Sequence, residues 1–551
     1  MSNGDISVTT NSNRLDVLII GAGFSGLYML HKLRKDGYRA RIYEKGYGVG
    51  GTWYWNRYPG AGSDIESLEY SYGFDEALQQ EWEWQERYAS QPEIEAYLEH
   101  VAGRFDLTRD IVFGQTVTSL NWDSGSGTWM CRFSGGEEIA VPYVVMATGL
   151  LSAPKEPDFE GLDEFKGRIL ITSSWPHEDV DFSGRAVGIV GTGSTAVQAI
   201  PIIAQQAKEL KVFQRTPNFS APRHNGPLAP DYVNLVKSDY KGWRERQRNS
   251  FGGYVSVDFQ AMEANPDMAM DMSPEERRAE YEFRWQSGGL CFYSCFQDLL
   301  LSEEANEELG DFFREKISAK IDDPEVAKLL LPRGYPVLTK RLCADTNYYE
   351  TYNRDNVELI DISSKPISRF DADGIIVGDT KVPLDDVVIA TGFDAVTGAA
   401  VRIDIRGESG RSLADAWKDG PRTQAGIMTH GFPNMFFVNG PGSCTGFFNP
   451  VLNVEYQGDW ISDLLGYMKK QGSAIVDSTV EAEQQWVERM EEAARPTLFW
   501  NSENWYIGAN VPGKARVMLL YLGGFPAYKE YMQTMVESNY VGFSFHNSQG
   551  L

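Results

Sequence analysis

Two glycine-rich turns constrain the fold of this chain more than any other feature, because each lies between a short apolar segment and an amphipathic one. The first unit runs LDVLII, GAGFSG, LYMLHKLRK and ARIYEK over residues 15–45. The second repeats that order over residues 186–215, with AVGIV, GTGSTA, an apolar helical stretch and KVFQR. A strand, a tight turn, a helix and a second strand form the βαβ unit that binds dinucleotides. The chain is therefore predicted to be an α/β protein with two Rossmann-like dinucleotide-binding domains.

The first turn has the spacing that lets a backbone approach a pyrophosphate. Gly21 permits a tight turn, Gly23 lets the backbone come close to the phosphates, and Gly26 lets the helix pack on the strand. Glu44 follows Gly23 by about 20 residues, where a carboxylate can accept hydrogen bonds from ribose hydroxyls. These residues predict a first nucleotide site.

The second turn differs from the first at the ribose. It carries Gly191, Gly193 and Ala196, and its strand end holds Arg215 where the first unit holds Glu44. An arginine cannot accept from a ribose hydroxyl, but it can bind a 2′-phosphate, which predicts NADPH. One acidic and one basic ribose site together indicate a flavin that a nicotinamide reduces, so FAD and NADPH are the expected cofactors.

A repeated strand end predicts how the domains are nested. YVVMATG ends at Gly149 and VVIATG ends at Gly392, and the second unit is the longer, so it holds an insertion. Ser273-Pro-Glu-Glu has the pattern of a capping box and Asp323-Pro324 resembles another helix start, which predicts a helical insertion. The predicted segments are 1–150 (FAD domain, first part), 151–224 (NADPH domain, first part), 225–332 (helical insertion), 333–392 (NADPH domain, second part) and 393–551 (FAD domain, second part).

Composition excludes several classes of partner. Lys and Arg number 51 against 77 Asp and Glu, a net charge of −26 that argues against nucleic acid or an anionic membrane. An anionic ligand then needs a locally basic pocket. The five cysteines form no Cys-x-x-Cys pair and the six histidines lack metal-ligand spacing, which predicts no metal and a reducing, cytoplasmic location. No signal pattern or membrane-length apolar stretch is found, so we expect no membrane insertion, and a monomer or weak homo-oligomer.

A longer motif connects the chain to a known family. GGTWYWNRYPGAGSD, residues 50–64, fits [AG]-G-x-W-x-x-x-x-[FY]-P-[GM]-x-x-x-D of the Baeyer–Villiger monooxygenases, and further segments such as TKRLCADTNYYETYNRDNVELID and NSENWYIGANVPGK extend the similarity. The chain resembles the phenylacetone, steroid and cyclohexanone type. The resemblance implies NADPH- and O2-dependent conversion of a ketone to an ester or lactone through a flavin C4a-peroxide.

The resemblance also implies roles for individual residues. Arg341 is the family's active-site arginine, whose guanidinium stabilises developing anions, and Asp64 holds it in place. Lys340 joins Arg215 and Thr216 at the 2′-phosphate, and Trp505 lies near the nicotinamide and the substrate. The remaining expected residues are Gly51, Thr52, Trp53 and Asp64 in cofactor binding, and Leu150, Gly446, Phe447 and Pro450 in the substrate pocket.

Three positions depart from the family pattern. Ile171 replaces the histidine of the fingerprint F-x-G-x-x-x-H-x-x-x-W-P, at a position expected in the linker between the two domains. Gly62 stands where many members have arginine, and Leu150 where many have glutamine. Two alternative readings therefore stay open. One is a flavin monooxygenase that oxidises nitrogen or sulfur or consumes NADPH uncoupled; the other is a non-catalytic NADPH sensor.

Overall fold

The computed structural model describes residues 15–444 and 446–547. The predicted domain ends at residues 1 and 551, and the expected absence of an amino-terminal signal, lie outside these residues. In chain order the strands are β1 (Val17–Ile20), β2 (Ala40–Tyr43), β3 (Ile111–Val112), β4 (Val117–Asp123), β5 (Thr128–Phe133), β6 (Glu138–Val141), β7 (Tyr143–Met146), β8 (Arg168–Ile171), β9 (Ala186–Val190), β10 (Glu209–Gln214), β11 (Ser220–Pro222), β12 (Cys343–Asp345), β13 (Val357–Asp361), β14 (Ile367–Asp371), β15 (Gly374–Val377), β16 (Thr380–Pro383), β17 (Asp386–Ile389), β18 (Asp404–Arg406), β19 (Met435–Phe437), β20 (Ile475–Ser478) and β21 (Phe543–His546).

Helices connect and cover these strands. They are α1 (Phe24–Lys35), α2 (Thr52–Trp55), α3 (Glu76–Glu81), α4 (Gln91–Arg104), α5 (Ser194–Gln206), α6 (Pro230–Ser238), α7 (Tyr240–Asn249), α8 (Phe259–Met262), α9 (Pro274–Ser287), α10 (Glu303–Ser318), α11 (Pro324–Leu330), α12 (Gly398–Val401), α13 (Leu413–Ala416), α14 (Pro450–Gln471), α15 (Val480–Ala494) and α16 (Gly524–Glu537).

Two parallel five-stranded sheets confirm the predicted fold class. The first has the order β19-β7-β1-β2-β3, and the second has the order β13-β10-β9-β17-β8. Each glycine-rich turn joins the central strand of its sheet to a helix: β1 to α1, and β9 to α5. The central strand VLII is buried along its whole length, because helices and loops cover both faces of a parallel sheet.

The chain leaves the first sheet and later returns to it. β19 follows the second sheet in sequence, yet it pairs in parallel with β7 of the first sheet. Between residues 230 and 330 the described regular elements are helical. The capping box predicted at Ser273 is confirmed, since its hydroxyl accepts from the Glu276 amide and the Glu276 carboxylate accepts from the Ser273 amide. Asp323 likewise caps α11 by accepting from the Glu325 amide.

One expectation about position is wrong. Ile171 does not lie in a linker but is the last residue of β8, where it pairs with Ile389 of β17. It is half-buried at the edge of the second sheet. The run RILI has the β-branched, apolar composition of a strand, and pairing with β17 satisfies its backbone groups.

In the part of the chain that the structure describes, no helix has the length and apolarity needed to cross a membrane.

Candidate active site

A cavity of about 2020 Å³ opens where the carboxyl ends of both parallel sheets meet. Residues that directly follow central strands line it, including Gly21, Glu44, Gly191 and Arg215. In open parallel sheets, ligands bind at this end because helix amino termini and loop side chains converge there. The cavity is thus the place where two nucleotides can meet.

The first glycine-rich turn is packed so closely that Gly21 and Gly26 have no room for a side chain. A Cβ on Gly21, whose φ is +104°, would lie 2.7 Å from the Ala147 carbonyl oxygen, and one on Gly26 would lie 1.8 Å from the Gly21 oxygen. Across the turn, a Cβ on Gly51 would lie 2.8 Å from the Gly23 Cα atom. α1 begins after Gly23 with no side-chain cap and no acidic residue in its first turn. Such a helix end favours a pyrophosphate, so these residues fit FAD.

Glu44 is buried at the edge of this turn. Its two carboxylate oxygens accept from the Ala22 amide at 2.8 Å and the Gly46 amide at 2.7 Å. These bonds fix the carboxylate at the cavity wall, and each oxygen keeps a further lone pair for a ribose hydroxyl. Thr52 and Trp53 of α2 also line the cavity, and the Trp53 indole donates to the Tyr70 hydroxyl at 3.1 Å.

The second turn repeats the geometry more openly. Gly191 has a φ of +110°, and a Cβ there would lie 2.6 Å from the Ala390 carbonyl oxygen. A Cβ on Gly193 would meet no described atom within 4 Å, which leaves room beside the amino terminus of α5. The Thr192 hydroxyl donates to the Thr216 carbonyl at 2.8 Å and so ties the turn to the end of β10. Ala196 is fully buried and packs below the turn.

Three cations gather beside the second turn. Lys340 lies with Nζ 4.3 Å from the centroid of the Tyr335 ring, and Lys155 Nζ donates to the Asn510 carbonyl at 2.8 Å. Burial lowers the pKa of both lysines, and the charge of Arg215 lowers each further. Cations that disfavour one another in this way become stable when an anion lies between them. This corner therefore fits the 2′-phosphate of NADPH.

Arg341 and Asp64 meet at the centre of the cavity wall. Arg341 donates from Nε at 3.0 Å and from Nη2 at 2.7 Å, both to Asp64 Oδ2. Burial alone would lower the pKa of Arg341, but Asp64, Tyr506 and Tyr293 together outweigh it and raise the pKa, so the guanidinium stays charged. Asp64 Oδ1 is buried and meets no donor among the described residues. The side chain of Arg341 remains 34% exposed, on the side of the cavity.

Tyrosines that sequence reasoning missed surround this pair. Tyr254 and Tyr293 come from the helical insertion and line the cavity, and the Tyr293 hydroxyl accepts from the Leu342 amide at 3.2 Å. Tyr506 is fully buried, and its hydroxyl has no hydrogen-bond partner in residues 15–444 and 446–547. Desolvation raises the pKa of Tyr254 and Tyr506, so both are neutral donors at neutral pH. Only Tyr506, beside Trp505 in the NSENWYIGAN segment, lay in a motif that could have indicated it.

The expected substrate residues lie at one end of the cavity. Leu150, Gly446, Phe447 and Pro450 all line it, as does Trp505. The Phe447 ring lies 4.5 Å from the Tyr506 ring and 6.1 Å from the Tyr293 ring, centroid to centroid. This end is apolar, and much of its wall comes from loops of the insertion at residues 249–255 and 290–301.

Two of the expected residues do not reach the cavity. Gly26 and Ala196 pack each helix on its turn, as the third position of the motif requires. The described residues hold no cluster of three or more His, Cys, Asp or Glu side chains arranged for a metal ion.

Known proteins resemble this chain over nearly its whole length. A family model described as pyridine nucleotide-disulphide oxidoreductase matches residues 15–232. Acetone monooxygenase (methyl acetate-forming) of Gordonia sp. (strain TY-5) is 40% identical over 97% of this chain and 99% of its own length. A Baeyer-Villiger monooxygenase of Pseudooceanicola batsensis is 41% identical, covering 96% and 95%. Phenazine N-monooxygenase PhzNO1 of Lysobacter antibioticus is 37% identical, covering 98% of each.

Solved structures of similar proteins have the same fold as this chain. Oxidized steroid monooxygenase bound to NADP is 45% identical with a TM-score of 0.91, covering 97% of this chain and 99% of that chain. The enzyme abbreviated OTEMO, in complex with FAD and NADP, is 37% identical with a TM-score of 0.92, covering 96% and 99%.

Proposed function

The chain belongs to the Baeyer–Villiger monooxygenases, the FAD- and NADPH-dependent enzymes that use O2 to convert ketones to esters or lactones, and we propose that Arg341 and Asp64 form its catalytic centre. The observation that carries the proposal is the two-nitrogen contact of Arg341 on Asp64 Oδ2, in a cavity that both glycine-rich turns share. When bound, FAD and NADPH supply the reducing equivalents and the activation of O2.

Arg341 stabilises negative charge where the ketone reacts. Nε and Nη2 are engaged by Asp64, whereas Nη1 has no acceptor among the described residues and can donate to the substrate's carbonyl oxygen as that oxygen becomes anionic. A charged donor held in place before the reaction costs no reorganisation when the charge develops. Asp64 holds the charged guanidinium in one orientation, whereas a solvated arginine would be equally charged but free to turn.

We assign the remaining side chains by their surroundings. FAD would be held by Gly21, Gly23, Glu44, Gly51, Thr52 and Trp53. NADPH would be held by Gly191, Gly193, Arg215, Thr216 and Lys340. Gly26 and Ala196 would support the two turns, and Trp505 would lie beside the nicotinamide. Leu150, Gly446, Phe447 and Pro450 form an apolar wall that excludes water from the ketone. The predicted domain limits at 150, 224, 332 and 392, a cytoplasmic location and a monomer or weak homo-oligomer remain proposals.

Product analysis tests the function. The purified yellow protein is incubated with NADPH and a panel of linear, cyclic and aromatic ketones under isotopically labelled O2. We expect an ester or lactone that carries one labelled oxygen, with NADPH consumed faster when the ketone is present. A panel of amines and sulfides belongs in the same experiment, because one relative is named as an N-monooxygenase. Oxygenation of nitrogen or sulfur alone, or NADPH binding without turnover, would contradict the proposal.

A further inference from the structure

The turn that carries Asp64 lies at the joint between the two nucleotide units. Side chains of the second unit contact three successive residues of this turn. Gln198 of α5 donates to the Gly62 carbonyl at 3.0 Å, Arg223 Nη2 donates to the Ser63 carbonyl at 2.7 Å, and Arg341 binds the Asp64 carboxylate. The position of Asp64 is therefore set from the other unit.

Arg223 is placed for this contact by a short parallel ribbon. It directly follows β11, and its amide donates to the Asp345 carbonyl at the end of β12. Arg341 lies just before β12. In a parallel pair, the end of one strand and the start of the other are opposite ends of the ribbon. The two arginines therefore leave opposite ends and converge on consecutive residues of one turn.

The absence of a side chain at Gly62 provides the space for Arg223. A Cβ on Gly62 would lie 2.6 Å from Arg223 Nη2, 3.0 Å from the Ala89 carbonyl oxygen and 3.4 Å from Arg223 Cζ, so the closest contact is with the guanidinium. The φ of Gly62 is not in the left-handed region, so the backbone itself does not require glycine. Space for the guanidinium is thus what this glycine provides. Gly62 also stands where many family members have arginine, and a side chain at position 62 of this chain would compete with Arg223 for the same space.

The contact is buried and costly to lose. Arg223 is 8% exposed, its Cζ lies 5.5 Å from the centroid of the Tyr88 ring, and its Nε has no acceptor among the described residues. Burying a charge costs desolvation free energy, so loss of either of these contacts would leave the other partner uncompensated. Arg223 does not line the cavity itself, whereas Gly62, Ser63 and Asp64 do.

We propose that Arg223 is a positioning residue, which fixes the Ser63 carbonyl and thereby the orientation of Asp64 toward Arg341. The proposal rests on the proposed function of that pair. If Ser63 moves, the carboxylate that orients Arg341 moves with it, and a displacement of about 1 Å at a catalytic group can cost about 100-fold in rate.

The test compares Arg223→Ala with a rescue variant, Gly62→Arg/Arg223→Ala. In Arg223→Ala we expect faster hydrogen exchange in a peptide spanning residues 58–66 and a product yield per NADPH that falls by about fivefold or more. Anaerobic reduction of the flavin by NADPH should stay near the wild-type rate, because the cofactor residues are unchanged. The rescue variant, Gly62→Arg/Arg223→Ala, should restore both exchange protection and product yield.

Arg314→Ala is the control at another buried arginine. Arg314 has a side chain 7% exposed and donates to the Pro332 carbonyl; it also pairs with Glu307 and Asp311, and it lies on α10 away from the turn. Should Arg223→Ala fail to fold, Gly62→Ala replaces it, since the new Cβ displaces the guanidinium while the arginine remains.

Three results would overturn the proposal. The first is wild-type hydrogen exchange and product yield in both Arg223→Ala and Gly62→Ala. The others are an equal loss of yield in Arg314→Ala, and no recovery in Gly62→Arg/Arg223→Ala. If the wild-type protein oxygenates no ketone, the proposed function fails instead, and hydrogen exchange alone decides whether Arg223 holds the turn.

Discussion

At the scale of single residues, the asymmetry of the Arg341–Asp64 pair matters most. Both donated hydrogen bonds end on Oδ2, which leaves Oδ1 without a partner among the described residues and Nη1 free to donate. A symmetric two-oxygen pair would use two nitrogens and would give each carboxylate oxygen one donor. The observed arrangement holds the arginine by two hydrogen bonds and leaves its third nitrogen able to donate into the cavity.

Arg341→Ala should separate oxygenation from flavin reduction. The variant should bind FAD and be reduced by NADPH, but form oxygenated product about 100- to 1000-fold more slowly, because one preorganised charged donor is gone. Stopped-flow reduction and product analysis measure the two steps. Arg341→Lys, which keeps a charge but cannot donate from two fixed nitrogens to Oδ2, should recover only part of the loss. Loss of FAD, or a normal product yield, would contradict the assignment.

Arg215→Ala should reduce the preference for NADPH over NADH. Losing one charge-assisted contact to the 2′-phosphate costs about 1.5–3 kcal/mol, or roughly 10- to over 100-fold in discrimination. Steady-state kinetics with both cofactors give the ratio of their kcat/KM values. Arg132→Ala, which removes an exposed arginine of β5 that pairs with Glu138, is the control. An unchanged ratio in Arg215→Ala would remove this residue from the phosphate site.

At the scale of elements, the strand-to-helix turns determine what the sheets can bind. β1 and α1 can approach one another only because Gly26 presents no side chain to the Gly21 carbonyl. The same turn keeps the amino terminus of α1 open, with no capping side chain. Two glycines therefore divide these tasks: Gly26 lets the helix pack on the strand, and Gly23, the residue before the helix, leaves its amino terminus open to a phosphate.

Gly26→Ala should abolish FAD binding. The new Cβ would overlap the Gly21 carbonyl oxygen at 1.8 Å, which forces α1 away from β1 and destabilises the fold by about 3 kcal/mol. Flavin absorbance per polypeptide and the melting temperature report the two effects. Gly103→Ala in α4 is matched, since a Cβ there meets nothing within 4 Å, and it should be neutral or stabilising by up to about 1 kcal/mol. Full flavin content in Gly26→Ala would show that the turn tolerates a side chain.

Residues that act within one local unit could be predicted from the sequence. The spacing of Gly21, Gly23 and Glu44 follows from the geometry of a single βαβ unit, and the structure has that unit. Arg223 and Tyr293 could not be found in this way, because their partners lie far away in the chain and no local motif records the contact. Pairing of β11 with β12 places Arg223, and Tyr293 reaches the cavity from the helical stretch between residues 230 and 330.

At the scale of the whole molecule, charge is distributed unevenly. The net charge of −26 would repel phosphates, yet Lys155, Arg215 and Lys340 gather beside the second turn. The locally basic pocket expected from composition is therefore present. Acidic surface elsewhere disfavours nonspecific polyanions, whereas an anion with the right shape still finds this corner.

Stability should fall as the pH rises above neutrality, in part through His430. Its Nδ1 lies 2.7 Å from the Ser478 carbonyl oxygen and 3.4 Å from Asp477 Oδ2, and the Asp477 contact raises the pKa of His430 to about 9. A histidine with a raised pKa stabilises the fold fully below about 6.5, its unfolded value, and loses that contribution as the pH rises toward 9.

His430→Gln should therefore flatten the dependence of the melting temperature on pH between about 6.5 and 9. The variant should be less stable than the wild-type protein at pH 6.5 and closer to it at pH 9. Thermal unfolding in a series of buffers measures both profiles, with His177→Gln as a control at an exposed histidine. Parallel profiles for His430→Gln and the wild-type protein would show that the Asp477 contact contributes nothing.

Loops outside the two parallel sheets line the apolar end of the cavity. Tyr254, Leu300 and Phe447 lie in segments that neither parallel sheet uses, whereas the phosphate-binding glycines and Arg341 are tied to strand ends. Replacement in those segments can change which ketone fits without disturbing how electrons reach oxygen. Proteins descended from one ancestral gene can therefore differ in the ketone they accept and still catalyse the same reaction. A mutant library confined to residues 249–255, 290–301 and 446–450 would test directly whether substrate preference can change in this way.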